Sequence, residues 1–317
     1  MVAGKEASIR ERPVSGIGRP GATSPGGITL GSGDRQVRRH SSPVGRFIRQ
    51  SPVGAVSALF LLGALGVALV GPLVGVGDPS DISPRSMFAS PSRDLPFGAD
   101  ELGRNLLARL VYALRISFAL AVASALLAAT VGTFLGLVSG FAGGLLDEII
   151  MRFTDVLFAF PTLLLAILIA VIMGPGISGV MLTIVIGTIP VFTRVARGPT
   201  LSVREMEYTI AARVSGASSG RILFRHVLPN ISTPLLVQLA FTLSGALIAE
   251  GALSFLGLGV QPPTPSLGSL LSDGKVYMEV APWMMLVPGI ALAASILAVN
   301  LLGDELQRFT DPRNSRR

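Results

Sequence analysis

The sequence predicts an all-α polytopic membrane protein with six transmembrane helices. Three observations lead there. Half of the 317 residues are hydrophobic and only 14% are charged, with a mean hydropathy of +0.64, whereas an ordinary soluble domain carries about 25% charged residues. The apolar residues are gathered into six runs, most of them close to the ~20 residues a helix needs to cross about 30 Å of hydrocarbon. The arginines concentrate in alternate segments between those runs, which is the pattern of basic loops kept on the cytoplasmic side.

Residues 1–45 are rich in Gly, Pro, Ser and Arg and lack apolar periodicity. They bury too little apolar surface to offset the entropy of ordering and read as a disordered basic cytoplasmic tail, either simply solvated or touching anionic lipid. The first apolar run, Pro52–Val76, is "PVGAVSALFLLGALGVALVGPLVGV". It is longer than the ~7–15 residue apolar region of a signal peptide and lies past residue 50, so an uncleaved span is expected. A segment with leucines at helical spacing follows, "DELGRNLLARLVYALRIS" (Asp100–Ser117), and is expected to lie in the interface before turning into the second run at about Ile116–Val138. The third and fourth runs, Val156–Met173 and Ile177–Phe192, are short and joined by Gly174–Ser178, which predicts a tight helical hairpin. The fifth extends from about Leu235 to Leu256 and the sixth from Trp283 to Leu302. Pro161 and Pro190 stand within runs and predict kinks.

Six spans put both termini on one side. With that side cytoplasmic, the inner segments hold Arg38, Arg39, Arg46, Arg49, Arg152, Arg194, Arg197, Arg204, Arg213, Arg221, Arg225, Arg308, Arg313, Arg316 and Arg317, against Arg85, Arg93, Arg104, Arg109 and Lys275 outside. The net charge of +7 therefore reads as topology, not as nucleic-acid binding. With no cysteine in the chain, thiol chemistry and Cys-ligated metals are excluded. The two histidines, His40 and His226, are far apart in sequence, so neither a metal site nor a catalytic triad is expected.

The largest cytoplasmic loop, at about 194–234, contains "YTIAARVSGASSGRILFRHVLPN" (Tyr208–Asn230). Glu205 to Arg213 read as a short helix, Gly216 permits a left-handed turn at its end, and a second helix over Ser218–Val227 is expected to stop before Pro229. The small residues Ala211, Ala212, Gly216 and Ala217 would leave a shallow surface that another protein can approach closely. Composition alone allows equally a linker whose alanines serve helix propensity.

The pattern Ala211-Ala212, Gly216, Leu228-Pro229 resembles the "EAA" loop of ABC importer permeases. Ile210 stands where that motif has its glutamate, and His226 where an isoleucine is usual. "GASSGRILFRHVLPN" is similar to the dipeptide/oligopeptide/nickel branch, in its C-type subunit. So are "FGADELGRNLLARLVYALRIS", "DEIIMRFTDVLFAFPTLLLAI", "AEGALSFLGLGVQPPTPSLGSLL" (with Leu267 where a tryptophan is common) and "NLLGDELQRFTDPR", in that order over about residues 45–315. The resemblance implies a type I ABC importer permease fold. It divides the chain into an N-terminal span with its external segment (46–111) and a five-helix permease core (112–317). The implied partners are a second homologous permease in a heterodimer, two cytoplasmic ABC ATPases that use ATP and Mg, an extracytoplasmic solute-binding protein, and the lipid of a bacterial cytoplasmic membrane. Ala211, Ala212, Arg213, Gly216, Ala217, Leu228 and Pro229 would form the ATPase-coupling loop. The implied cargo is a di- or oligopeptide, with nickel chelates and glutathione as alternatives.

The chain has no G-x-x-x-x-G-K-[ST] phosphate loop, so it binds no cofactor of its own and has no catalytic residues in this reading. A charge inside hydrocarbon costs about 2.5–3.5 kcal/mol on insertion scales, so Glu250 needs a reason: pairing with a neighbouring helix, or an acceptor in the translocation path. Arg152 and Asp155, three apart at the start of the third run, read as a local structural ion pair. A gated channel or scaffold without an ATPase explains the six runs equally well but not the Ala-Ala/Gly/Leu-Pro loop.

Overall fold

The computed structural model describes residues 51–310 apart from position 74. The basic tail at 1–45, with His40, Arg46 and Arg49, lies outside the described residues, as do Arg313, Arg316 and Arg317. The described chain is helical, its one departure toward β structure being an isolated bridge between Ala99 and Asn105. Among the described residues five helices are long and apolar enough to cross a membrane, or six if the bent pair Gly144–Ala159 and Thr162–Met173 counts as one span.

Helix α1 is Pro52–Val70. Proline at its start loses no hydrogen bond, because the first N–H groups of a helix have no acceptor. Helix α2, Leu106–Ala142, is 37 residues long. The Asn105 side chain caps it, accepting from the Leu107 N–H at 2.9 Å. The expectation that Asp100–Ser117 turns in the interface is corrected here. From Leu106 onward that segment is the first part of α2 without a turn, and its Ala108, Leu110, Val111, Ala113 and Ser117 are buried against protein. What precedes it is held by Asp100, fully buried. Its carboxylate accepts from the N–H groups of Leu102 and Arg104, from Arg104 Nε at 2.6 Å and from Arg109 Nη1 at 2.6 Å.

The third run is not one helix. Helices α3 (Gly144–Ala159) and α4 (Thr162–Met173) meet at 89°. The break falls at Phe160-Pro161: proline has no N–H and disfavours the helical region in the residue before it, and Phe160 is extended at φ −79°, ψ 124°. Helix α5, Ile177–Arg204, continues without a break through Pro190 and Pro199. The predicted loop from 194 therefore begins only at Glu205, because Thr193 and Thr200 on this stretch are buried and donate back to the carbonyls of Ile189 and Ala196.

Pro229 likewise does not end a helix. Glu207–Val214 (α6) and Ser219–Ile222 (α7) lead into a π turn, Leu223–Val227, and directly into α8, Leu228–Phe255. In the π turn the Leu228 N–H reaches back to the Leu223 carbonyl, one residue farther than in an α-helix. The widened turn makes room for the proline ring where an α-helix would clash. Helix α9, Leu267–Val276, belongs to none of the six apolar runs; Ser266 and Ser269 form a capping box at its start. Helix α10 is Trp283–Thr310.

Helices α2 and α5 make the most extensive helix–helix contact among the described residues. Gly132, Gly136 and Gly140 are four residues apart and fall on one helical stripe. A Cβ at Gly136 would lie 2.4 Å from the Thr193 carbonyl oxygen, and one at Gly132 2.6 Å from Phe192 Cβ. Toward the starts of the same two helices, Leu110, Leu114, Phe118, Val180 and Ile184 join Leu247 and Leu270 in a shared apolar core.

Gly136→Leu should cost at least about 3 kcal/mol of packing, by overfilling a backbone-to-backbone contact. Gly198→Ala, on the same helix pair but with nothing within 4 Å, should be neutral or stabilising; thermal unfolding in detergent compares the two. Burial pushes the Glu101 carboxyl above its usual range. A raised carboxyl favours the fold below the unfolded pKa and loses that contribution as pH rises through the folded one. Glu101→Gln should therefore gain on the parent as the melting series moves from about pH 4 to 7, given the reference Glu pKa of ~4.3.

Candidate functional site

The residues singled out between Glu205 and Pro229 form a knuckle at one end of the bundle. Helix α6 ends as its sequence requires. Gly216 adopts φ +81°, its N–H bonds to the Arg213 carbonyl at 3.0 Å, and the Ala217 N–H bonds to the Ala212 carbonyl at 3.0 Å. These two bonds define a Schellman motif. The alanines divide by role: Ala212 and Ala217 pack against a second buried cluster of Leu137, Ala196, Val203, Ile222, Val227 and Ile231, while Ala211, Arg213 and Gly216 face outward. Leu228 also packs on that cluster, and Pro229 is exposed at the head of α8. The knuckle therefore sits on the ends of α2, α5 and α8. Its outer face is partly apolar: Ile210 is 48% and Val214 84% exposed, and four residues apart they share one helix face.

Charges secure its base. The Asp147 carboxylate takes a two-pronged contact from Arg197, Nε and Nη2 each at 2.6 Å, and also accepts from the Ser139 hydroxyl. Arg204 Nη1 donates to the last carbonyls of α2, Gly140 and Phe141, at 3.3 Å. The expected pair Arg152–Asp155 is corrected: among the described residues Asp155 pairs with Arg194 at 2.7 Å. The Arg194 guanidinium comes across from α5 and stacks 4.5 Å over the Phe158 ring. That stacking fixes its planar fork beside Asp155. Both partners are roughly half exposed, so the pair is worth about 0–1 kcal/mol.

A second candidate region lies between α4, α5 and α8. A cavity of about 280 Å³ is lined by Thr162 at the start of α4, Gly187 and Thr188 of α5, and Gln238, Phe241 and Thr242 of α8. It adjoins the Phe160-Pro161 break. Irregular backbone inside a membrane is tolerated where it faces protein or a polar cavity, and this cavity supplies that setting. Gln238 Nε2 donates to Thr242 Oγ1 at 3.2 Å, and the Thr188 hydroxyl donates to the Ile184 carbonyl. Sequence reasoning missed these residues; Gln238, a polar side chain near the start of the fifth apolar run, was the available signal.

Glu250 is not part of this lining. Its neighbour Ala249 is, but the next residue in a helix points about 100° away, and Glu250 is fully buried in the protein. Its Oε1 accepts from Ser254 at 2.8 Å, and Oε2 has no hydrogen-bond partner among the described residues. Among the described residues its hydrogen-bond partner, Ser254, lies on its own helix and not on a neighbouring one.

Residues 132–316 match the family described as "Binding-protein-dependent transport system inner membrane component". The dipeptide transport system permease protein DppC of Alkalihalophilus pseudofirmus is 35% identical over 266 residues, 84% of this chain and 88% of that one. The di/tripeptide transport system permease protein DppC of Pseudomonas aeruginosa is 38% identical, covering 80% and 86%. The glutathione transport system permease protein GsiD of Pectobacterium atrosepticum is 38% identical, covering 84% and 89%. Among solved structures, an inward-facing MetNI methionine ABC transporter matches with a TM-score of 0.53 at 17% identity, over 65% of this chain and 98% of that one.

Removing the two-pronged contact with Arg197→Leu should destabilise the purified protein by about 1 kcal/mol, given its partial exposure. Arg197→Lys should recover only part of it, because an ammonium cannot reproduce the fork; melting temperatures of the three proteins check both statements.

Proposed function

Because the chain belongs to the family of binding-protein-dependent transport inner-membrane components, we propose that it is one of two permeases forming the translocation pore of an ATP-driven importer of di- or oligopeptides. Its relatives' printed cargoes, dipeptides, tripeptides and glutathione, are all short peptides. In this reading the second permease is a homologue, two cytoplasmic ABC ATPases use ATP and Mg, and an external binding protein delivers the cargo. The knuckle end faces the cytoplasm with both termini. It carries Arg152, Arg194, Arg197, Arg204, Arg213, Arg221, Arg225 and Arg308, in keeping with the charge bias of cytoplasmic loops.

One observation supports the coupling role above all: the knuckle is continuous with a membrane span. From Ser219 to Phe255 the chain is a single helical span of 37 residues, broken only in pitch by the π turn. A displacement of α6 and its Schellman turn is thus delivered to α8, which carries Gln238, Phe241 and Thr242 into the cavity. ATP binding by the partner subunits would favour one of two packings of this helix, and the knuckle passes that preference to the path. The exposed Ile210–Val214 face is where an ATPase would seat, and the absence of the motif glutamate at 210 makes that contact apolar.

Gly216→Val should abolish coupling. A β-branched residue at positive φ costs about 1–3 kcal/mol, enough to unwind the turn without disturbing the membrane core, since a Cβ at Gly216 meets nothing within 4 Å. Peptide uptake should fall at least about tenfold while the complex still assembles and hydrolyses ATP. Wild-type uptake in Gly216→Val would refute the coupling role, and failure of any ATPase to co-purify with the native chain would point to a channel or scaffold instead.

A further inference from the structure

We infer that the cavity between α4, α5 and α8 is this chain's half of a binding site for the peptide main chain, one that does not sort cargo by side-chain charge. The inference rests on the peptide-importer reading above. Its support is the chemistry of the lining. Thr162, Thr188, Gln238 and Thr242 are neutral hydrogen-bonding groups, and Phe241 adds an apolar wall. Among the described residues no ionisable side chain lines the cavity. Glu250 is turned away beneath the surface and bonded to Ser254. The Arg194–Asp155 pair begins six residues beyond Thr188, roughly 9 Å along the helix axis.

The side-chain amide of Gln238 is the same functional group as a peptide bond. It offers two N–H donors and a carbonyl acceptor. One donor goes to Thr242 Oγ1; the second donor and the acceptor match the N–H and C=O that every peptide presents. A carboxylate or guanidinium in the same place would favour one cargo charge and repel the other. An apolar occupant such as an acyl chain would leave the amide unpaired, which is costly away from water. The backbone break at Phe160-Pro161 turns the chain so that α4 meets the cavity with its first residue, Thr162. A main-chain site here leaves selection by side chain to another component and lets the path pass many sequences.

The test is uptake of radiolabelled Ala-Ala, Ala-Lys and Ala-Glu by cells expressing the whole transporter. Gln238→Leu should lower the rate for all three by a similar factor, about five- to tenfold for a lost hydrogen bond, with ATP hydrolysis by the complex retained. Gln238→Glu should introduce sorting, favouring Ala-Lys over Ala-Glu. Should Gln238→Leu fail to accumulate in the membrane, the near-isosteric Thr188→Val and Thr242→Val carry the same uniform loss. Undiminished uptake in these variants, or loss confined to one of the three peptides, overturns the inference and leaves the importer reading intact. Uptake of none of them by the parent strain overturns the importer reading, and the inference with it.

Discussion

The backbone contact between α2 and α5 governs the rest of the bundle. Three glycines on one stripe let α2 approach until a Cβ would strike the Thr193 carbonyl oxygen at 2.4 Å. In lipid there is no hydrophobic gain from bringing apolar helices together, so close dispersion contact and small residues must do that work. Because α5 lies in this groove along its length, the ends of both helices are fixed together. One end supports Ser117 Oγ, which accepts from the Leu267 N–H at 3.1 Å and seats α9. The other supplies Leu137, Ala196 and Val203 as the bed of the knuckle.

The two candidate regions are two stations on one element. Helix α8 starts beneath the knuckle, where Ile231 is buried in the cluster that carries it. It passes the cavity at Gln238 and Thr242 and ends against the outer helix α9, with Gly268 packed on the Gly251 carbonyl. The α2–α5 pair is the frame against which this helix can move. Under the proposed function, that division, a tight glycine seam on one side and a helix flanked by a polar cavity on the other, would give the subunit both a fixed and a moving part.

Much of this is legible in the sequence, and the exceptions have physical causes. The apolar runs locate the spans because hydrocarbon admits little else, and Gly216 announces its turn because few other residues take φ +81° without strain. Proline misleads twice, in opposite directions. At 161 its place inside an apolar run suggests a kink, yet it divides α3 from α4. At 229 its place after a short helix suggests a stop, yet the π turn carries the helix through. Sequence alone does not reveal which neighbour will absorb a missing hydrogen bond. Asp155 pairs with Arg194 and not Arg152 because the ring of Phe158 holds the distant guanidinium in place, a contact between residues far apart in the chain. The glycine seam is readable as a four-residue period, "GTFLGLVSG", but a run scored for hydropathy alone hides it.

The π turn at Leu223–Val227 also sets the rotational phase between the knuckle and the span. It holds one residue more than an α-helical turn would. Deleting a residue there would restore the ordinary pitch and swing everything upstream by about 100° around the axis, re-aiming the face that Ile210 and Val214 share. The length of this connection is therefore constrained in its own right: gaining or losing one residue between Ser219 and Leu228 would re-aim the whole protrusion.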